Sequence, residues 1–119
     1  MNSAPRTIEL KRVVITGIGV VSAFGIGKET LLEGLLAGRS AVRRIERFDT
    51  TEYPVKIAAE VRDFDPTAFM DRKWSKRMDR FTQYGVAAGT LALEDSGYPV
   101  GEDPYAVGAL VGSGVGGLD

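Results

Sequence analysis

Twice in this chain a β-branched apolar run breaks into closely spaced glycines, and that recurrence frames everything between. Near the N-terminus Val13-Val14-Ile15-Thr16 gives way to Gly17 and Gly19. At the other end residues 107–119 read VGALVGSGVGGLD, in which Gly112-Ser113-Gly114-Val115-Gly116-Gly117 satisfies G-x-G-x-x-G. A continuous apolar run, unlike an alternating one, suits a strand covered on both faces, as in a parallel sheet. Glycines directly after it let the backbone turn tightly or pass close to another segment. Glycine makes up 15 of the 119 residues, nearly double the usual share of roughly 7%. Because these glycines follow apolar runs and form no low-complexity tract, turns explain the excess better than a linker.

The stretch between is helical in two places. Residues 28–37 carry Leu31, Leu32, Leu35 and Leu36 as one apolar stripe, and Gly38 stands where a terminating glycine belongs. A basic loop (residues 39–49) and a weaker strand candidate (residues 56–61) follow. Asp65-Pro66 reads as a cap and first-turn proline opening a short turn over residues 67–70. Ser75 is placed to cap the longest helix, residues 76–96. Met78, Phe81, Gly85, Ala88 and Ala92 recur there on one mostly small face, so a neighbour can approach closely. Gly97 and Pro99 supply the stop. The expected order is β-α-β-α-β, an α/β layer with a mostly parallel sheet, preceded by a loose leader at residues 1–10. Three strands leave open apolar edges, so the chain reads as the front of a larger domain.

Both cysteine and histidine are absent. That excludes a disulfide, a thiolate nucleophile, an imidazole base and a Cys/His metal site within these residues. A formal net charge of −1 gives no overall pull toward nucleic acid or an anionic membrane. No apolar stretch approaches a membrane span in length, and a soluble cytoplasmic protein is the expectation.

The glycine motifs invite a nucleotide reading, which context does not support. A dinucleotide fingerprint needs a helix to open directly after the glycine turn, with its N-terminus on the pyrophosphate. After Gly19 come five residues with no helical start, the acid expected about 20 residues after the fingerprint at the end of a second strand has no fitting candidate there, and no helix follows Gly117. Neither segment holds G-K-[ST], so a P-loop is excluded. Asp63-Phe64-Asp65 could be offered as a metal pair, but Asp65 as a cap and Asp63 in solvent account for it. Glu94-Asp95, near a helix C-terminus, reads as a solvated pair that mildly opposes the dipole.

More informative is a run of cations: Arg72, Lys73, Lys76, Arg77 and Arg80 within nine residues. On one helix Arg72, Lys76 and Arg80 would share a face. Cations at a helix N-terminus oppose the macrodipole, so their placement there hints at an anionic partner; a solvated basic face is the alternative.

Taken in order, the motifs resemble one family. Residues 12–22 (RVVITGIGVVS), 36–40 (LAGRS), Arg47-Phe48-Asp49, Phe64-Asp65-Pro66, residues 77–84 (RMDRFTQY) and 111–117 (VGSGVGG) are similar to the N-terminal segment of β-ketoacyl-acyl-carrier-protein synthases, particularly elongating type II enzymes. The resemblance covers nearly all of residues 11–119, and it is the ordered set rather than any single piece that makes it specific. It implies the N-terminal part of a thiolase-like fold, in which two α/β halves stack into a five-layered sandwich.

It also implies a parent enzyme that moves an acyl chain from carrier protein to a cysteine. That enzyme then condenses the chain with malonyl-carrier protein, losing carbon dioxide, while two histidines stabilise developing negative charge. The cysteine and histidines of the family belong to later segments, which agrees with their absence here. By the same resemblance Val115, with Gly114 and Gly116, borders the acyl-chain pocket. Lys73, Lys76 and Arg77 match basic positions on the face where the acidic carrier protein docks, although Trp74 within that run departs from the pattern. Expected partners are acyl carrier protein, acyl and malonyl thioesters, and a second copy of the parent in a homodimer; nucleic acid, membrane, metal and cofactor are not expected. A non-catalytic chain-length-factor subunit with the same fold is the alternative.

Overall fold

A single 17-residue helix supports the fold, and the loops arrange themselves along it. The computed structural model describes residues 10–99, 101 and 104–117. In chain order the elements are β1 (Val21–Ser22), β2 (Gly25–Ile26), α1 (Lys28–Leu36), β3 (Arg43–Arg44), β4 (Ile57–Ala58), a 3-10 turn (Pro66–Ala68), α2 (Arg72–Ser75), α3 (Arg80–Ser96) and a second 3-10 turn (Pro104–Ala106). β1 and β2 form an antiparallel hairpin with Val21 opposite Ile26, and β3 pairs antiparallel with β4, Arg43 opposite Ala58.

The helices end as the sequence indicates. Gly38 follows α1 at φ 62°, and Gly97 caps α3 in the left-handed region at φ 59°, conformations that cost a side-chain-bearing residue energy. Asp65 accepts from the Thr67 backbone N–H at 2.9 Å and the Thr67 hydroxyl at 2.7 Å, opening the turn at Pro66. Two boundaries differ from expectation. The helix expected over 76–96 starts four residues late, at Arg80 after Asp79, and a separate short helix, α2, precedes it, capped by Asp71 through the Lys73 N–H at 2.7 Å. Ser75 is therefore no cap. It is buried at the end of α2 with its hydroxyl donating to the Arg72 carbonyl.

The strand expectations need a larger correction. Residues 13–16 and 107–111 carry no ladder, and the strand expected over 56–61 shrinks to Ile57–Ala58, paired antiparallel rather than parallel. A strand exists only with a neighbour about 4.8 Å away to hydrogen-bond it. Here residues 13–17 and 106–108 flank one groove against the C-terminal end of α3, at Ala92, Leu93 and Ser96, without pairing. Their apolar side chains remain in solvent: Val13 is 88% exposed and Leu110 fully so. The leader expected at residues 1–10 lies outside the described residues except for Leu10, which is exposed.

The close-approach role of the first glycines is observed. A Cβ on Gly19 would meet the Ala88 carbonyl oxygen and, at 2.6 Å, the Ala92 backbone nitrogen; one on Gly17 would collide with the Ala92 carbonyl oxygen and the Ser96 backbone nitrogen. The small residues Ala88 and Ala92 thus let the first segment lie directly on the α3 backbone. The buried centre of α3 is Gln83 and Ala87, whereas Phe81 and Gly85 of the expected face are exposed. Phe64 supplies the other core contact. It stacks on Phe69 at 5.9 Å, meets Tyr84 edge-on at 4.9 Å, and lies beneath the Arg80 guanidinium at 5.4 Å, tying the first 3-10 turn to the start of α3.

Candidate functional site

Both sets of candidate residues converge on the N-terminal end of α3. On one side is the turn between α2 and α3. The Gln83 side-chain amide donates to the Ser75 carbonyl at 2.7 Å and the Met78 carbonyl at 3.1 Å. The Ser75 carbonyl ends a four-residue helix, where acceptors lack intrahelical partners, and the Met78 carbonyl lies in the turn after it, so one buried amide bridges the two. Sequence reasoning missed Gln83. Its signal is a polar residue in the helix row that continues through Ala87.

This turn decides how the cations are presented. Arg72 lies in α2, Lys76 is its C-cap and Arg80 opens α3, so the expected i, i+4, i+8 stripe does not form. Arg80 folds inward, donating to the Gln83 side-chain oxygen at 3.3 Å and covering the Phe64 and Tyr84 rings. Lys73, Lys76 and Arg77 are exposed, and none has a side-chain ion pair among the described residues. The result is a cluster of three solvated cations with no competing ion-pair partner among the described residues.

On the other side is the second glycine turn. Gly116 adopts φ 89°, and a Cβ placed there would lie 3.7 Å from the Phe81 ring. A Cβ on Gly117 would collide with the Asp79 carboxylate. Asp79 does not cap α3 with its side chain; the carboxylate lies against Gly117 instead. Gly114 has open space around it, and Val115 is 77% exposed. The turn therefore seats two glycines on Asp79 and Phe81, which follow the Lys76 and Arg77 cations in sequence, and leaves the Val115 side chain accessible.

A third feature holds the scaffold together. The Asp95 carboxylate accepts the Ile18 backbone N–H at 3.0 Å and pairs with the Lys28 ammonium. The Lys28 hydrogen bond, then the Ile18 N–H, hold the Asp95 carboxyl below the usual carboxylate range; the same pair holds the Lys28 amine above its ordinary value. Asp95 is exposed, as expected, yet it also clamps α3 to α1 and the first glycine segment. No group of three or more Cys, His, Asp or Glu suited to a metal ion occurs among the described residues. Asp63 is exposed and Asp65 caps, as expected.

Known proteins resemble this chain. Residues 10–119 match the family model described as β-ketoacyl synthase, N-terminal domain. The chain belongs to the β-ketoacyl synthase family. It is 46% identical over 110 residues to the 3-oxoacyl-[acyl-carrier-protein] synthase 2 of Vibrio harveyi, covering 92% of this chain and 26% of that protein. Among solved structures it is similar to the ishigamide ketosynthase/chain length factor, with TM-score 0.66 and 43% identity over 72% of this chain and 21% of the other. A β-ketoacyl synthase from Burkholderia phymatum STM815 gives TM-score 0.62 and 38% identity, covering 78% and 23%. The ketosynthase chain thus spans about a quarter of the length of such relatives. These likenesses establish it as the N-terminal part of a thiolase-like ketosynthase fold, even though its own ladders are short and antiparallel. No helix among the described residues is long and apolar enough to cross a membrane.

Proposed function

We propose that the chain is the N-terminal part of an enzyme that condenses an acyl thioester with malonyl-carrier protein in chain elongation. In that reaction the acyl group rests on a cysteine as a thioester. Loss of carbon dioxide from the malonyl group leaves an enolate, which attacks the acyl carbonyl and expels the cysteine thiolate. With no cysteine and no histidine among its 119 residues, this chain supplies scaffold, pocket wall and docking surface rather than the reacting groups. The observation that carries the reading is the ordered family match across residues 10–119.

Within it, Lys73, Lys76 and Arg77 steer the acidic carrier protein, and Gly114, Val115 and Gly116 border the acyl chain. Their meeting at one helix end supports this division, since a carrier that docks on the cations would deliver its thioester near the glycine turn. The parent is a cytoplasmic homodimer that needs no cofactor. A chain-length-factor subunit remains the second reading, because one structural relative is a ketosynthase/chain length factor. The sequence beyond Asp119 separates the two: a cysteine at the nucleophile position supports the enzyme, and another residue there supports the subunit. A direct test of docking is Lys73→Glu with Lys76→Glu in the full-length parent. The double variant should bind carrier protein on the order of tenfold more weakly while turning over a small acyl thioester at the unaltered rate. Equal loss on both substrates would contradict the docking role.

A further inference from the structure

The β3–β4 side of the molecule carries a polar groove that the ketosynthase reading does not use. It encloses about 490 Å³ and is lined by Arg43, Arg47, Glu60, Arg62, Asp63 and Arg80, with Glu46 at its edge. That volume is within the range of small-ligand sites, about 300–1,000 Å³.

Three observations set it apart from a solvated charged face. Glu60 Oε2 is buried and has no hydrogen-bond partner, although its side chain is only 12% exposed. Arg62 is already committed, donating to Glu46 at 3.0 Å and to the Arg44 carbonyl at 3.0 Å; it approaches Glu60 Oε2 only to 3.5 Å. A buried acceptor left unmet costs free energy that a bound donor would recover. The guanidinium groups of Arg43 and Arg47 have no hydrogen-bond or ion-pair partner among the described residues. Asp63 lines the groove at φ 55°, a left-handed conformation that a non-glycine residue adopts at a cost.

The groove thus offers two unpaired planar cations beside a largely buried carboxylate whose oxygen has an ion pair with Arg62 at 3.5 Å but no hydrogen bond. Guanidinium forks match phosphate oxygens bidentately, and a buried carboxylate is a suitable acceptor for a sugar hydroxyl, as in ribose recognition by acidic residues. We propose that this groove binds a phosphate ester of a polyol, with Arg43 and Arg47 on the phosphate and Glu60 on a neighbouring hydroxyl. The site is independent of condensation and of carrier docking at Lys73, Lys76 and Arg77.

The test is calorimetric titration of the full-length protein with ribose 5-phosphate, inorganic phosphate and ribose. Ribose 5-phosphate should saturate with Kd on the order of 1 mM or tighter, inorganic phosphate should bind more weakly, and ribose should give no signal. Arg43→Ala with Arg47→Ala, both at exposed positions, should weaken ribose 5-phosphate roughly tenfold or more. Glu60→Met, which keeps the volume and removes the acceptor, should erase the preference for the ester over inorganic phosphate; if it does not fold, the arginine pair decides alone. Binding unchanged in the arginine double variant, or no saturation by ribose 5-phosphate, overturns the proposal.

Discussion

Gly19 and Gly85 are both glycines beside or within α3, yet their substitution by alanine should act in opposite directions. At Gly19 the new methyl would strike the Ala88 carbonyl and the Ala92 nitrogen, backbone atoms that cannot rotate away. Gly19→Ala should therefore destabilise the folded parent by about 1–3 kcal/mol or more. Gly85 has open space around its Cβ position within the helix; Gly85→Ala should stabilise by roughly 0.5–1 kcal/mol. Chemical denaturation of both variants measures the contrast, and two effects of the same sign would refute the close-approach account. Gln83→Ala belongs at this scale too. It strips the Ser75 and Met78 carbonyls of their shared donor, and losses of this kind cost about 1–3 kcal/mol.

Asp95 gives the residue scale its pH dependence. Its folded pKa is depressed, so its contribution is present above the ordinary carboxylate value and is lost as pH falls through the depressed one. Lys28 is raised, so its contribution holds below the ordinary lysine value and is lost as pH climbs through the raised one. Asp95→Asn leaves an acceptor for the Ile18 N–H but removes the charge facing Lys28. It should lower the melting temperature at pH 7, and the gap to the unaltered protein should close in acid, below the depressed carboxyl pKa. A gap that persists at that pH would show that the charge is not what clamps α1 to α3.

Among the elements, what was legible in the sequence is what depends on neighbours a few residues away. Helix α1, the glycines that end α1 and α3, and the Asp65-Pro66 cap are local devices, and each is observed, although Leu32, Leu35 and Leu36 of the α1 stripe are exposed. The break between α2 and α3 was not legible, because Ser75 and Asp79 are both good capping residues and the choice rests on Gln83 reaching back across the turn. The pairing of Asp95 was not legible for a related reason, its partners lying 67 and 77 residues away. Strands were the least legible. An apolar run predicts burial, but a ladder needs a partner, and residues 13–16 and 107–111 have none here. The candidate site was half legible: the charge pattern marked the cations and the family resemblance marked the glycine turn, whereas only the fold shows that they share the end of α3.

At the scale of the whole molecule the described residues are poorly closed. The radius of gyration is 19.8 Å, against roughly 13–14 Å for a compact chain of this length. Among the described residues the buried apolar side chains are Phe64 and Ala87, while Val13, Ile15, Leu110 and Val111 stand in water. Ordering the backbone costs on the order of 1–2 kcal/mol per residue, and a core this small does not offset it. The isolated chain should therefore show no sharp, cooperative thermal transition by circular dichroism; a two-state melt of a monomer would contradict this.

The same scale holds the functional claim, that this chain frames a condensation whose reacting groups lie elsewhere in the parent. The most direct measurement is release of carbon dioxide from malonyl-carrier protein together with formation of β-ketoacyl-carrier protein, assayed with the full-length protein and with the 119-residue chain. The account predicts coupled release and condensation by the parent, dependent on an acyl-carrier-protein donor, and neither product from the chain alone. Condensation by the isolated chain, or a parent that forms no β-ketoacyl product, would contradict it.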